Sequence, residues 1–275
     1  TDRNVMPYGQ TVTENIMPEI AERLAQEIDL DGRKKAIDAF NASHTTLKKG
    51  IALMPVTFGI SFNAPVLNQA GALVHVYTDG SVHLNHGGTE MGQGLFTKVA
   101  QVVSSVFQVD IDHVKISATR TDKVPNTTPT AASAGSDLNG MAAFNAATEI
   151  RERMAGVVAE HFDVPADDIE FRQNRVYAGN ESLSFAEAAQ KTWSERVSLS
   201  ATGYYKTPDI HWDSETMTGS PFYYFTFGAS VSEVVIDTLS GESRVLTTDI
   251  LQDVGSSLNP SIDLGQIEGA FVQGM

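Results

Sequence analysis

The chain has 275 residues, 41% of them hydrophobic, which is enough apolar material for one large domain or two smaller ones. A net charge of −15 argues against a nucleic-acid footprint and against anionic membrane surfaces. The absence of cysteine excludes a disulfide framework, a Cys-based zinc site and a cysteine-bound iron–sulfur cluster within these residues.

Residues 11–41 carry apolar side chains at helical spacing: Val12, Ile16, Ile20, Leu24, Ile28, then Ala36, Ile37 and Phe40. Leu30-Asp31-Gly32 is expected to break this run in two. Ile51–Phe62 reads as extended, ended by Gly59 and Pro65. Gly71–Leu84 predicts a hairpin, with Asp79-Gly80 as its turn. A helix follows, with Leu95, Val99, Val102, Val103 and Val106 on one face. Val114–Ala118 predicts a short strand, and Val124–Ala134 a loop of Pro, Thr, Ala and Ser. Leu138–Phe162 predicts a long Ala-rich helix, capped by Ser136 or Asp137. Ile169–Phe171 and Arg175–Tyr177 predict short strands. Ser184 is placed to cap a helix through Lys191. Val197–Tyr205 alternates as a strand. Thr207–Pro221 is polar and irregular, the best candidate for a mobile loop. Phe222–Asp237 and Arg244–Leu251 predict paired strands around Ser240-Gly241, and Ile262–Met275 a helix.

Strand, turn, strand, loop and helix therefore occur twice, at 71–107 and 222–275, with helices expected to open near Gly92 and Gly265. The fold class this predicts is α+β: antiparallel β-hairpins packed with helices, in two related strand–strand–helix units. The expected division is a helical segment at 1–50, a first unit at 51–162, a connecting subdomain and loop at 163–221, and a second unit at 222–275. Gln273-Gly274-Met275 stops within an apolar helix with no cap, so the chain reads as a segment of a longer one. No apolar stretch approaches the roughly 20 residues of a membrane helix. No secretory signal is expected, because no apolar region follows Thr1-Asp2-Arg3-Asn4, and the expected location is cytoplasmic.

Four stretches carry candidate chemistry. In the first, Gly87-Gly88-Thr89-Glu90-Met91-Gly92-Gln93-Gly94, glycines sit between a strand and a helix start. Backbone N–H groups at 92–95 can meet an anion there, and the Gln93 amide can bond a ring edge. The spacing fits neither a P-loop nor the dinucleotide fingerprint. A packing turn without ligand is the alternative. Glu90 would repel an anion unless it faces away, so it is expected to serve the turn or a basic partner rather than the ligand. The second stretch, Thr130–Ser136, is a run of small residues that would let a flat ligand approach the backbone, with Ser133 and Ser136 as donors. The alternative is a surface loop. The third is Phe58-Gly59-Ile60-Ser61-Phe62-Asn63, whose aromatics suit a flat heterocycle or a core. The fourth is Gln266, beside Gly265 in the second unit. Asp249, Asp253 and Asp263 read as solvated surface or turn caps. His83 and His86 are three apart in an extended strand and point to opposite faces, which disfavours a shared metal.

Taken in order, Phe58–Phe62, Gly87–Gly94, Pro129–Ser133 and Asp253–Gly274 resemble the xanthine dehydrogenase and aldehyde oxidase family of molybdopterin hydroxylases. The resemblance runs from about Arg3 to the last residue. It looks closest to the large molybdenum-binding subunit of the bacterial xanthine dehydrogenase type. It implies that Met91, Gly92, Gln93, Gly94, Leu95, Ala132, Ser133, Ala134, Ser136 and Gln266 bind the pterin cofactor. It places the Ala132 backbone beside the molybdenum and the substrate, with Phe62 as a wall for a purine. Asn63 stands where many family members have Thr, which bears on substrate preference.

The resemblance further implies hydroxylation of hypoxanthine and xanthine to urate with water as oxygen source. The family's catalytic glutamate would lie beyond Met275 and its purine-clamping arginine before Thr1, so no residue here is assigned as catalytic. The 2Fe-2S clusters and FAD are expected on other domains or subunits. The implied partners are a purine, an iron–sulfur/FAD subunit and the rest of the molybdenum subunit, in an oligomer. Two other readings stand beside this one: a non-catalytic scaffold or assembly domain, and an aldehyde oxidase-like hydroxylase of other heterocycles or aldehydes.

Overall fold

The computed structural model describes residues 4–124 and 127–275. The chain forms two compact units, each assembled from separated segments. One comprises the chain up to Ile60 together with Trp212–Ser256; the other comprises Ser61–His211 with Ser257–Met275. This grouping is interleaved, unlike the sequential division expected above, because long-range strand pairing takes precedence over sequence proximity.

In the first unit, helices α1 (Met17–Glu27) and α2 (Leu30–Ser43) precede β1 (Leu47–Ile60). The expected break is present. Asp29 adopts a left-handed conformation and its carboxylate accepts the Gly32 amide, starting α2. β1 pairs antiparallel with β11 (Tyr224–Asp237), which pairs with β12 (Ser243–Gln252). The helices cover one sheet face, where Ile20, Leu24 and Leu30 meet Phe227, Ala229 and Val231.

The segment expected as an irregular loop is ordered. β9 (His211–Asp213) and β10 (Thr218–Ser220) form a small two-stranded sheet. Asp213 closes its turn by accepting from the Glu215 amide and the Thr216 hydroxyl, and Met217 takes a positive φ. Local side-chain-to-backbone bonds replaced the apolar alternation that marks a strand in sequence.

The second unit is built on a four-stranded sheet of order β4-β3-β2-β8. β2 (Gln69–Val76) and β3 (Val82–His86) form the hairpin expected around Asp79-Gly80; β8 (Ser200–Lys206) joins antiparallel and β4 (Val114–Ile116) parallel. Helix α3 (Leu95–Phe107) and the 28-residue α4 (Gly135–Phe162) supply most of the core. α4 is Ala-rich where it meets β8: Ala142, Ala143, Ala146 and Ala147 are fully buried. A Cβ on Gly203 would lie 1.9 Å from the Ala142 carbonyl oxygen, so β8 can approach the helix only with glycine there. α4 begins at Gly135 and has no side-chain cap, contrary to the expectation for Ser136 or Asp137.

A small antiparallel sheet of β5 (Ile169–Arg172), β6 (Arg175–Ala178) and β7 (Glu181–Ser184) leads into α5 (Phe185–Ser194), which Ser184 and Glu187 start with a reciprocal capping box. The last helix, α6 (Pro260–Gly274), is capped by Asn259; Gly265 lies inside it rather than at its start. The whole is the α+β class, with helices laid on antiparallel hairpins.

Candidate cofactor site

The glycine-rich segment leaves β3 and enters α3 as a tight loop held by its own side chains. The Glu90 carboxylate accepts the amides of Gly92 (2.9 Å), Gly94 (3.0 Å) and Phe96 (3.0 Å). It therefore fills the anion position at the α3 N-terminus with a charge from the chain itself. Burial pushes this carboxyl up, but the amides of Phe96, Gly94, Gly92 and Leu95 together hold it below the ordinary range. Serving the turn was one of the roles expected of Glu90. The amides of Gly92 and Gly94, expected to meet an external anion, are occupied by it instead.

Gln93 is likewise drawn inward. Its Oε1 accepts the Met91 amide at 2.6 Å and its Nε2 donates to the Thr89 carbonyl at 2.9 Å. One N–H and one lone pair of the amide are left for a ligand. Gly94 has φ +73, and a Cβ there would strike Ile262 of α6.

A hydrogen bond connects this loop to the small-residue run before α4. The Thr89 amide donates to Thr130 Oγ1 at 2.9 Å. Below it, His86 is 1% exposed and lies edge-on to Phe96. Its Nδ1 accepts the Gly88 amide at 3.1 Å, which makes it the neutral tautomer with the proton on Nε2. Asn139 of α4 is also buried and donates from Nδ2 to the Gly135 carbonyl. His86 Nε2 and Asn139 Oδ1 are each buried without a partner in strict geometry. They are complementary donor and acceptor, and the Asn139 amide still acts on the imidazole. Desolvation dominates that ring, lowering its pKa to about 4.

Sequence analysis singled out neither His86 as a buried support of the glycine-rich loop nor Asn139. Their signal is weak: a polar residue closing an apolar strand, and an amide one turn inside a helix.

The two loops and one face of α6 enclose a cavity of about 780 Å³. Met91, Gly92, Gln93 and Leu95 line one side, and Ala132, Ser133 and Ser136 another. Gln266 completes it from α6, where its Nε2 also donates to the Gly92 carbonyl at 3.2 Å. Eight residues proposed from sequence thus share one cavity. Gly94 and Ala134 do not line it; one is the α3 cap and the other is buried beneath the loop.

Phe62 and Asn63 do not line it either. The Phe62 backbone is clamped by buried Asn68, which accepts its amide and donates to its carbonyl, both at 2.8 Å. Ser61 just before it has φ +127.

Thr130 lines it from the expected small-residue run, whereas Lys98, Gly269, Ala270 and Gln273 line the cavity and were missed. Gln266, Gly269, Ala270 and Gln273 follow helical spacing, and that periodicity could have found three of them. Lys98 pairs with Asp263 at 3.5 Å. No carboxylate lines the cavity among the described residues.

Ala132 and Ser133 are both left-handed, with φ of +55 and +56. Consecutive non-glycine residues in that region carry strain, which the surroundings must hold in place.

This α+β frame, with a cofactor-sized cavity floored by a glycine-rich turn, has a family. The profile of the molybdopterin cofactor-binding domain matches residues 23–275, and the chain belongs to that family. Among curated relatives, the xanthine dehydrogenase of Dictyostelium discoideum is 46% identical over the whole chain. The xanthine dehydrogenase/oxidase of Felis catus is 46% identical over 98% of it. The chain spans 19% of the length of each of these relatives.

Two solved structures share the fold: the Cu,Mo-CO dehydrogenase (TM-score 0.81, 21% identity, 96% of this chain and 34% of that one) and quinoline 2-oxidoreductase from Pseudomonas putida 86 (TM-score 0.80, 20% identity, the same shares).

Proposed function

We propose that the cavity holds the pterin of the molybdenum cofactor and that the chain works as part of a xanthine dehydrogenase. The observation that carries this is the convergence of the 91–95 loop, the strained 132–133 backbone and Gln266 on one cavity. Its volume of about 780 Å³ lies within the range of small-molecule and cofactor sites.

The residues present fit such a group. Gly92 and Gly269 line the cavity with no atom within 4 Å of where a Cβ would stand, so a flat ring system can lie close to the backbone there. Gln93, Gln266 and Gln273 offer amides to a heterocycle rich in donors and acceptors, and Ser133 and Ser136 offer hydroxyls. Because Glu90 fills the α3 N-terminus, an anionic end of the cofactor would be met by Lys98 and the loop hydroxyls rather than by the amides of Gly92 and Gly94. The Ala132 backbone would lie near the molybdenum.

The bound cofactor would supply the redox centre for hydroxylating an electron-poor carbon. Phe62 and Asn63 would serve the substrate, a purine, from the Asn68-clamped turn. The base for such a reaction would come from outside these residues. Glu90 is spent on the turn, Glu233 pairs with Lys49, and Glu268 does not line the cavity. Iron–sulfur clusters and FAD would sit on other domains or subunits, in a cytoplasmic oligomer.

The test is elemental analysis for molybdenum on the purified chain, with xanthine-dependent dye reduction. Molybdenum without turnover is expected. Turnover comparable to a complete enzyme would place a base among these residues and overturn that part of the reading. Absence of molybdenum from chain made in a cofactor-producing host would favour the scaffold reading.

A further inference from the structure

A second cleft, of about 480 Å³, lies between α3 and α4 and shares no residue with the first. Val102 and Val106 of α3, Phe144 of α4 and Phe171 of β5 give it apolar walls. Phe144 is 41% exposed, a large apolar surface for a chain this acidic. The hydroxyl-bearing Ser105 and Thr148 line the same cleft.

Arg151 is the one cation in the lining. Its guanidinium carbon lies 4.9 Å from the centroid of the Phe171 ring, which fixes the planar head over an aromatic face. Its Nε is buried with no acceptor, and among the described residues no carboxylate pairs with it. The chain has 34 acidic residues against 19 basic ones, so an arginine left unpaired in a cleft is out of keeping with its surroundings. A guanidinium stays charged at every working pH, and its fork matches a carboxylate with two parallel bonds.

We propose that this cleft binds a small organic acid with a flat apolar body. The carboxylate would sit on Arg151 and the body against Phe144 and the two valines. The same chemistry could come from a glutamate flanked by apolar residues on a polypeptide. The cleft's volume, in the range of small-ligand sites, favours the free acid.

The experiment is calorimetric titration of the chain with 2-naphthoate, with neutral 2-naphthalenemethanol, and with a short blocked peptide carrying one glutamate between two leucines. Naphthoate should bind and the neutral alcohol should not. Arg151→Gln should weaken naphthoate by about tenfold or more, as loss of a charge-assisted pair does. Arg151→Lys, which keeps the charge but not the fork, should fall between them, and Phe144→Ala should weaken binding too. Arg23→Gln, exposed and not part of the cleft lining, should leave it unchanged. Thermal melts of each variant establish that the fold is intact. Equal binding of acid and alcohol, unchanged affinity in a folded Arg151→Gln, or binding of the peptide but not of naphthoate would each overturn the proposal.

Discussion

Glu90 accepts the Phe96 amide at 3.0 Å, reaching from inside the glycine-rich loop across the first turn of α3. The chain has thus built an anion into the place where a bare helix N-terminus would attract one from solution. Glu90→Gln keeps an acceptor but loses the charge and part of the three-fold contact. It should destabilise the chain by about 1 kcal/mol, typical of a lost N-terminal cap. Inorganic phosphate should raise the melting temperature of Glu90→Gln more than that of the wild type, because loss of the carboxylate frees the amides for an external anion. Equal or greater stabilisation of the wild type by phosphate would show that Glu90 does not occupy the anion position.

His86 predicts a pH dependence. Its folded pKa of about 4 lies below the ordinary 6.5, because burial penalises the imidazolium. The neutral ring contributes its full stability above pH 6.5, and that contribution is lost as pH falls from 6.5 towards 4. The loss is on the order of 3 kcal/mol at the conversion of 1.36 kcal/mol per unit. Urea titrations across that window should show a proton-linked slope in the wild type and a flatter one in His86→Gln. Equal slopes would mean that the ring is not held neutral.

Gly203 predicts a packing failure. Its missing Cβ would lie 1.9 Å from Ala142 O and 2.7 Å from Ala146 N, both backbone atoms of α4 that cannot swing aside. Gly203→Ala should cost about 3 kcal/mol or more by overpacking. Gly156→Ala, on the same helix with nothing within 4 Å of the new Cβ, should instead stabilise by about 0.5–1 kcal/mol. Comparable chemical-denaturation midpoints for the two variants would contradict this account of how β8 seats on α4.

What could be read from sequence divides along physical lines. The Asp79-Gly80 turn, the Ser184 cap and the strand of alternating residues before Lys206 were legible because local rules decide them. The β9–β10 hairpin was not, since Asp213 and Met217 make it through turn chemistry in a polar stretch. Nor was the interleaving of the two units, which depends on β1 pairing with β11 across more than half the chain. At the site, Gly92 and Gln266 line one cavity and Glu90 was expected to serve the turn, but its capture of the Gly92, Gly94 and Phe96 amides depends on a side-chain rotamer that no pattern encodes. Pro125 and Asn126 of the expected 124–134 loop lie outside the described residues.

The central claim is that the cavity between the 91–95 loop, the 132–136 loop and α6 is where the pterin binds. Gly269 lines it from an exposed helix face, and a Cβ there meets nothing within 4 Å. Gly269→Trp should therefore fill the cavity without disturbing the core. The direct measurement is pterin released from each protein after expression in a host that makes the cofactor, read by its fluorescence after oxidation. The account predicts pterin in the wild-type chain and none above background in a Gly269→Trp variant with an unchanged melting temperature. Equal pterin in both, or none in the wild type, would contradict it.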